Sequence, residues 1–464
     1  MPPVFYLDLW PISNPLMLVH DPDVASQITQ AKNLAKHPVN SKVLGPLVGS
    51  HSVVTAEGQE WKILRSILNS GFSSQYLSTL IHLLLRHGLV FKDRISNYAS
   101  TGEVFPIEET ATALTIDVIG EVVLGKNFDS QRRSSELALH FQKAVAPFKW
   151  WHSVQQDRII EKMIRERHAQ TRSTDSAGTR AAVDLFLQAY REEKMGTQGK
   201  SGSRPDELDP EFMHLARNNV KTLLLGGHDT HVELGVFANL RHSNFIHDRL
   251  HPGPPLLTQN THELARIRAE HDAIFGPDPS QAASILLSEP RLLNNLPLTT
   301  AAIKETLRLF PAGSTTRTTL PPHPVQTVAF RDGQQLPLAG EQIWIAHYGF
   351  GQRADLWPEP RKFMIDRFMP GGPTPPPKDA WRPFEKGPRG CLGLELAMME
   401  LRLVLVLLCR EFDFETAYAE DAPRAPPEHG VQGGRGYQII EFAAKPVGHM
   451  PMRARRRGMD DTGE

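Results

Sequence analysis

The stretch Phe384-Glu385-Lys386-Gly387-Pro388-Arg389-Gly390-Cys391-Leu392-Gly393 sets one cysteine in a glycine-rich loop at the mouth of an apolar run. Glycines 387, 390 and 393 let the backbone turn sharply and approach a bulky group closely. The run from Leu392 to Cys409 reads as a helix that begins at the cysteine. Its free amides and partial positive charge then face the sulfur and favour the thiolate, the form that ligates a metal. Arg389 adds a cation two residues earlier. A cysteine in a Gly/Pro loop taken alone is more often a buried structural thiol. Phe384, Arg389 and the glycines around Cys391 turn the reading toward a ligand.

Other side chains stand at spacings that could do chemistry. Trp61 and Arg65 are i and i+4, so one helical face presents both to a single anion, the alternative being an exposed arginine against a tryptophan edge. Glu305 and Arg308 are i and i+3, a spacing that usually gives a solvated pair worth little. Here Ile303, Leu307 and Leu309 surround them, which points to burial. A helical run from Phe212 to Leu225 leads into Gly226-Gly227-His228-Asp229-Thr230. Glycine inside a helix costs about 1 kcal/mol relative to alanine. The pair is therefore either a C-cap or a place where missing side chains leave room.

The cysteine stretch fills the pattern Phe-x-x-Gly-x-Arg-x-Cys-x-Gly without a gap, and it resembles the haem-thiolate signature of the cytochrome P-450 family. That resemblance implies that Cys391 is the proximal ligand of heme b (iron protoporphyrin IX) and that thiolate ligation favours O–O cleavage. Phe384 would pack beside the sulfur, Gly393 would belong to the cofactor-binding loop, and Arg389 would pair with a haem propionate. Trp61 and Arg65 resemble the family's Trp-x-x-x-Arg motif, which also binds a propionate, and Arg317 is a further propionate candidate. Glu305 and Arg308 resemble the Glu-x-x-Arg motif, a structural brace joined by a later arginine. Arg367 occupies that place, with Ile365 where a proline is more usual.

By the same resemblance, the long helix that carries Gly226 to Thr230 crosses the distal haem face and should continue apolar beyond Thr230. Gly226 or Gly227 would leave room for dioxygen, the Thr230 hydroxyl would hydrogen-bond it, and Asp229 would relay protons. Ala312, Gly313 and Ser314 would line the substrate pocket. The implied activity is a monooxygenase acting on an apolar small molecule. Electrons would come from NADPH through a cytochrome P-450 reductase, because the chain has no flavin or nicotinamide fingerprint of its own. Lys386 and Arg402 would offer that acidic partner a docking face, the alternative being an ordinary solvated basic surface. Phe212 to Thr230, Ala269 to Gly276 and Leu298 to Gly313 resemble fungal members of secondary-metabolite pathways of the polyketide or mycotoxin type. Two other classes stay open: a haem-thiolate isomerase or dehydratase, and an inactive haem-binding remnant.

The elements that must position these residues read as mainly α with small β-sheets, the cytochrome P-450 fold, with haem between the distal helix and the cysteine loop. Tyr6 to Val19 reads as a strand pair, Asp21-Pro22 as a helix start, Ile107 to Leu124 as a helix, and Asp332-Gly333 as a hairpin turn. Gly196 to Pro205 is expected as a surface connection and residues 446–464, basic and then acidic, as a frayed tail. We read residues 1–464 as one domain, interrupted at His231 to Thr261. There Pro252, Gly253, Pro254 and Pro255 forbid a helix, and the helical pattern returns at Leu264. A retained intron or a frame error would produce such a segment.

Lys plus Arg number 51 against 52 Asp plus Glu, so no charge field points to nucleic acid. Two cysteines leave no disulfide framework. No apolar run approaches the roughly 20 residues that span a bilayer, and the first residues lack a signal-peptide pattern. The chain is therefore expected either to be unanchored and cytoplasmic or to begin downstream of its true start. The family's usual place is the cytosolic face of the endoplasmic reticulum.

Overall fold

The computed structural model describes residues 2–11, 15–133, 135–137, 139–140, 150–173, 180–197, 207–229, 257–319, 327–338, 342–424, 437–440 and 443–458. The chain divides into two compact units, the first formed by Met1–His37, Leu84–Ala111 and Val232–Glu464 and the second by Pro38–Leu83 and Thr112–His231. Helices predominate, and the sheets are small.

In the first unit a four-stranded sheet has the order Val4–Leu7, Leu16–Val19, Gln342–Ile345, Thr315–Thr318. The expected N-terminal pair is antiparallel, with Val4 opposite Val19. Leu16–Val19 then runs parallel to Gln342–Ile345, which is antiparallel to the strand carrying Arg317. Ile343 and Ile345 are fully buried while Gln342 and Trp344 are half-buried, the period-two pattern of a strand with one core face. Met17, Val19, Ile28, Leu338 and Phe350 complete that core. Asp21 caps the helix Pro22–Ser26, its Oδ1 accepting from the backbone N–H of Asp23 at 3.1 Å and of Val24 at 3.2 Å. The hairpin around Asp332-Gly333 pairs Thr327–Ala329 with Gln335–Pro337.

A second core of this unit lies between the helices Pro297–Leu309 and Leu394–Leu408, where Ile303 and Leu307 pack with Ala397, Met398, Leu401 and Leu405. Each such fully buried aliphatic side chain contributes about 1.5–3 kcal/mol. Trp381, Phe384 and Leu394 pack against the same cluster, so the cysteine loop is anchored on this core through Phe384.

Several expectations are corrected here. The frayed tail is ordered through Pro451–Arg456, the central strand of a sheet with Phe105–Pro106 and Phe412–Thr416 on either side. Met452 and Ala454 are buried and Arg453 and Arg455 are exposed, so the strand's alternation outweighs its charge. The helix after the proline-rich segment starts at Leu257 and runs to Phe275, seven residues ahead of the expected return at Leu264. The helix after the cysteine starts at Leu394 with Gly393 as its N-cap, later than Leu392. Residues 230–256 and 198–206, which hold most of the suspect segment and of the Gly196 to Pro205 connection, lie outside the described residues.

The second unit is helical. Pro210–Asp229 packs on Trp150–Ser173. Between them Lys221 Nζ donates to Asp157 Oδ1 at 2.7 Å and Ser153 Oγ at 2.9 Å, and Arg217 Nη1 donates to Glu161 Oε1 at 2.6 Å. Burial pulls the Lys221 ammonium below its usual value, and Asp157 opposes that pull.

Candidate functional site

The cysteine loop is built from its own backbone. The N–H of Cys391 donates to the carbonyl of Phe384 at 2.9 Å, and the N–H of Gly390 donates to the carbonyl of Gly387 at 2.9 Å. Gly387 has φ +92°, and a Cβ there would stand 2.3 Å from the carbonyl oxygen of Thr29. Only glycine fits both demands. Around Gly390 the carbonyl oxygens of Gly387 and Glu385 lie 3.2 and 3.6 Å from where a Cβ would be. The result is a closed turn that leaves the Cys391 side chain exposed, while Phe384 packs into the core below it.

Cys409 is the contrasting thiol. It is buried, its Sγ lies 3.3 Å from His271 Nδ1, and burial pushes its pKa up to about 12. It fills core. Among the described residues no group of three or more His, Cys, Asp or Glu side chains could hold a bare metal ion. A single exposed thiol fits a metal whose other ligands come from a macrocycle, and Arg389 two residues before it fits a group that carries carboxylates. The residues present therefore fit haem at Cys391.

The brace expected from Glu305, Arg308 and Arg367 is assembled in the first unit. Glu305 and Arg308 form a bidentate pair, with Arg308 Nε to Oε2 at 2.6 Å and Nη2 to Oε1 at 2.8 Å. Arg367 Nε lies 3.2 Å from Glu305 Oε1, which also accepts from the N–H of Met364 at 2.9 Å. Arg308 Nη1 donates to the carbonyls of Gly351 at 2.5 Å and Pro360 at 2.7 Å. Both charged side chains of the Glu305–Arg308 pair are essentially inaccessible to water, so this is a desolvated cluster and not a surface pair. Ile365, in the place where proline is usual, is fully buried.

Arg317 is fully buried on its strand in the same unit, and its Nη1 donates to Thr315 Oγ1 at 2.6 Å and to the Thr316 carbonyl at 3.2 Å. Arg389 is half-buried in the loop. Trp61 and Arg65 lie on the helix Gly58–Asn69 of the second unit, Trp61 buried and Arg65 half-buried.

The helix Pro210–Asp229 does not cap at its glycines. Pro210–Asp229 is continuous through Gly226 and Gly227, which removes the C-cap alternative. The two glycines differ in role. A Cβ on Gly227 would stand 2.3 Å from Ile119 Cγ1, so its smallness lets the helices pack, whereas a Cβ on Gly226 would meet nothing within 4 Å. Gly226 is thus the residue that leaves open space. Asp229 is the last described residue of the helix, and its side chain, like all of Thr230, lies outside the described residues.

The docking expectation fails at Arg402. Its guanidinium is buried, and it donates to the carbonyls of Met398 at 2.8 Å and Leu293 at 3.3 Å and to Asn294 Oδ1 at 3.0 Å. An arginine spent on satisfying internal carbonyls offers no partner a charge. Lys386 Nζ is partly exposed and sits 3.0 Å from Asp379 Oδ1. The sequence reading also passed over Glu385, whose carboxylate is buried within the loop. Its signal was an acid placed among glycines at a position without an assigned role.

The family model for cytochrome P-450 matches residues 3–232 and 256–439. This chain belongs to the cytochrome P-450 family. The cytochrome P-450 monooxygenase acrF of Aspergillus aculeatus is 33% identical over 97% of this P-450 and 93% of its own length. The monooxygenase polC of Polytolypa hystricis is 31% identical over 97% of this chain and 81% of its own. A crystal structure of a cytochrome P-450 haem domain superposes with a TM-score of 0.71 at 20% identity, covering 98% of this chain and 89% of that one, which establishes the shared fold. This P-450 is thus an oxidoreductase of the monooxygenase kind, in a family whose members bind haem through a thiolate. No helix among the described residues is long and apolar enough to cross a membrane.

Proposed function

We propose that this P-450 inserts one oxygen atom of dioxygen into an apolar small molecule, the other leaving as water, with electrons from NADPH passed through a cytochrome P-450 reductase. The observation that carries the reading is the Cys391 loop, which is anchored through Phe384 and exposes one thiol while the other thiol is sealed in the core. Residues 1–464 are read as one cytochrome P-450 domain.

Cys391 would hold the haem as thiolate, with Phe384 beside the sulfur and Gly393 opening the helix behind it. Arg389, Arg317, Trp61 and Arg65 would bind the propionates. When bound, thiolate-ligated haem supplies dioxygen binding and reductive O–O cleavage. The chain's own residues do the rest. Asp229 would take protons from solvent, and the Thr230 hydroxyl would pass them toward the reacting oxygen. Gly226 keeps the helix face clear, and Ala312, Gly313 and Ser314 line an apolar pocket. Glu305, Arg308 and Arg367 hold the segment behind the loop without touching substrate.

The resemblance to fungal secondary-metabolite members, together with monooxygenase relatives from Aspergillus and Polytolypa, supports a role in fungal secondary metabolism, and the polyketide or mycotoxin type of substrate rests on the resemblance alone. By the family's habit the enzyme would work at the cytosolic face of the endoplasmic reticulum. An isomerase or dehydratase would need no external electrons, and Asp229-Thr230 argues for oxygen activation instead.

One observation favours a second reading. The family match is interrupted at residues 233–255, inside the segment His231 to Thr261 that the sequence marks as foreign. A chain translated with that segment would be an inactive remnant, and a transcript that encodes it intact would remove the gene-model explanation. The activity itself is tested by incubating the protein with reductase, NADPH and isotopically heavy dioxygen. A product that gains one heavy oxygen per NADPH supports the proposal. A substrate rearranged without NADPH would replace it with the isomerase reading.

A further inference from the structure

A second buried ion cluster of the first unit lies behind the cysteine loop, and none of the family motifs named above includes it. Glu385 directly follows Phe384 and holds φ at +57°, a left-handed conformation that a residue with a Cβ keeps only when its surroundings enforce it. Its carboxylate provides the enforcement. Oε1 accepts from Arg382 Nε at 2.9 Å, from Arg382 Nη2 and from the Lys386 backbone N–H at 2.9 Å. Oε2 lies 3.4 Å from His347 Nε2. Arg382 is itself buried, and its Nη2 donates to Thr29 Oγ1 at 2.6 Å, on the residue whose carbonyl presses against Gly387. Burial pushes the Glu385 carboxyl up, but His347, Arg382 and the Lys386 amide outweigh it and hold the group down to about 2.

His347 opens a five-residue helix, His347–Gly351. At its far end the Gly351 carbonyl accepts from Arg308, and a Cβ on Gly351 would stand 2.1 Å from the Arg308 carbonyl oxygen. Between the ends, the Phe350 ring lies 6.0 Å from the Arg382 guanidinium, and the Phe350 carbonyl accepts from Trp357 Nε1 at 2.9 Å. The Trp357 ring in turn lies 5.2 Å from Arg308. One short helix therefore touches the Glu305–Arg308–Arg367 cluster with one end and the Glu385–Arg382 cluster with the other.

We propose that Glu385 is a positioning residue for the Cys391 ligand, and that the helix His347–Gly351 ties it to the Glu305–Arg308–Arg367 brace. The proposal rests on the reading of Cys391 as the haem ligand. Glu385 sits between Phe384, whose carbonyl holds the Cys391 N–H, and Lys386, which leads into Gly387, so fixing its backbone fixes the limb of the closed turn on which the Cys391 N–H is held. Partners of this kind behind a ligand set its direction and are worth about 10–100-fold in affinity for the bound metal group.

The test compares the parent protein with Glu385→Ala, Glu385→Gln and His347→Phe. Far-ultraviolet circular dichroism checks folding, transfer of haem to an acceptor globin measures haem loss, and the Soret band of the reduced carbon monoxide form reports the thiolate. Glu385→Ala is expected to fold, to lose haem roughly tenfold to hundredfold faster, and to show part of its Soret absorption at the unshifted position. Glu385→Gln, which keeps the shape and one acceptor, should fall between parent and alanine variant, and His347→Phe should move in the same direction by less. If Glu385→Ala does not fold, Glu385→Gln decides. Parent-like haem loss and a parent-like Soret band in the folded Glu385 variants overturn the proposal, even if their melting temperature drops. A parent protein whose own band is unshifted removes the Cys391 reading, and the proposal falls with it.

Discussion

Glu305 Oε1 lies 3.2 Å from Arg367 Nε, across 62 residues of sequence and with neither side chain accessible to water. A carboxylate in that position is tolerated only because two guanidiniums and the Met364 N–H satisfy it. The segment carrying Arg367 is thereby tied to the Pro297–Leu309 helix, which packs on the helix that follows Cys391.

Removing the carboxylate should be costly. Glu305→Ala leaves two buried cations without their acceptor, a loss of about 3–5 kcal/mol, and is expected to abolish haem incorporation. The check is the haem-to-protein ratio after purification. A variant with parent haem content would show that the brace is dispensable.

Gly226 and Gly227 should respond differently to substitution. Gly227→Ala drives a methyl into Ile119 and should destabilise by about 1–3 kcal/mol. Gly226→Ala meets open space and should leave the melting temperature equal or slightly raised, as alanine is the better helix former by about 1 kcal/mol. Equal losses in thermal unfolding would contradict the distinction.

The two thiols should separate chemically. In haem-free protein at neutral pH a maleimide should label one cysteine, Cys391, because Cys409 is buried and its thiol stays protonated up to about pH 12. Mass spectrometry of the labelled peptides decides. Cys391→Ser should take no label until the protein is unfolded, and labelling of Cys409 in folded protein would contradict its burial.

Acid should destabilise the first unit through His271. Burial, helped by the charge of Arg410, lowers its pKa from 6.5 to about 3, while Nε2 meets Thr299 Oγ1 at 2.8 Å. Between those values the unfolded chain binds a proton that the folded one refuses, so this contribution is complete above pH 6.5 and is lost as pH falls toward 3. Thermal midpoints measured across that window should fall with acid, and less steeply in His271→Leu. Glu385 has the sign of a lowered carboxylate and acts later, between about 4.5 and about 2.

The cysteine loop and the brace were legible in the sequence because their residues lie at fixed short spacings with apolar neighbours. What escaped depends on distant pairing. Arg382, Glu385 and His347 come from separate segments, and a positive φ at Glu385 leaves no compositional trace. Arg402 resembled a surface cation, but the carbonyls of Met398 and Leu293 that satisfy it become neighbours only in the folded chain. The strand Pro451–Arg456 was hidden because its arginines obscured the alternation that buries Met452 and Ala454.

The central claim, a haem bound through Cys391, is tested most directly by the absorption spectrum of the purified, dithionite-reduced protein with and without carbon monoxide. A strongly red-shifted Soret band is expected in the parent, with its loss in Cys391→Ala. A haem-loaded parent with the band at the unshifted position, or a red-shifted band that survives Cys391→Ala, would contradict it.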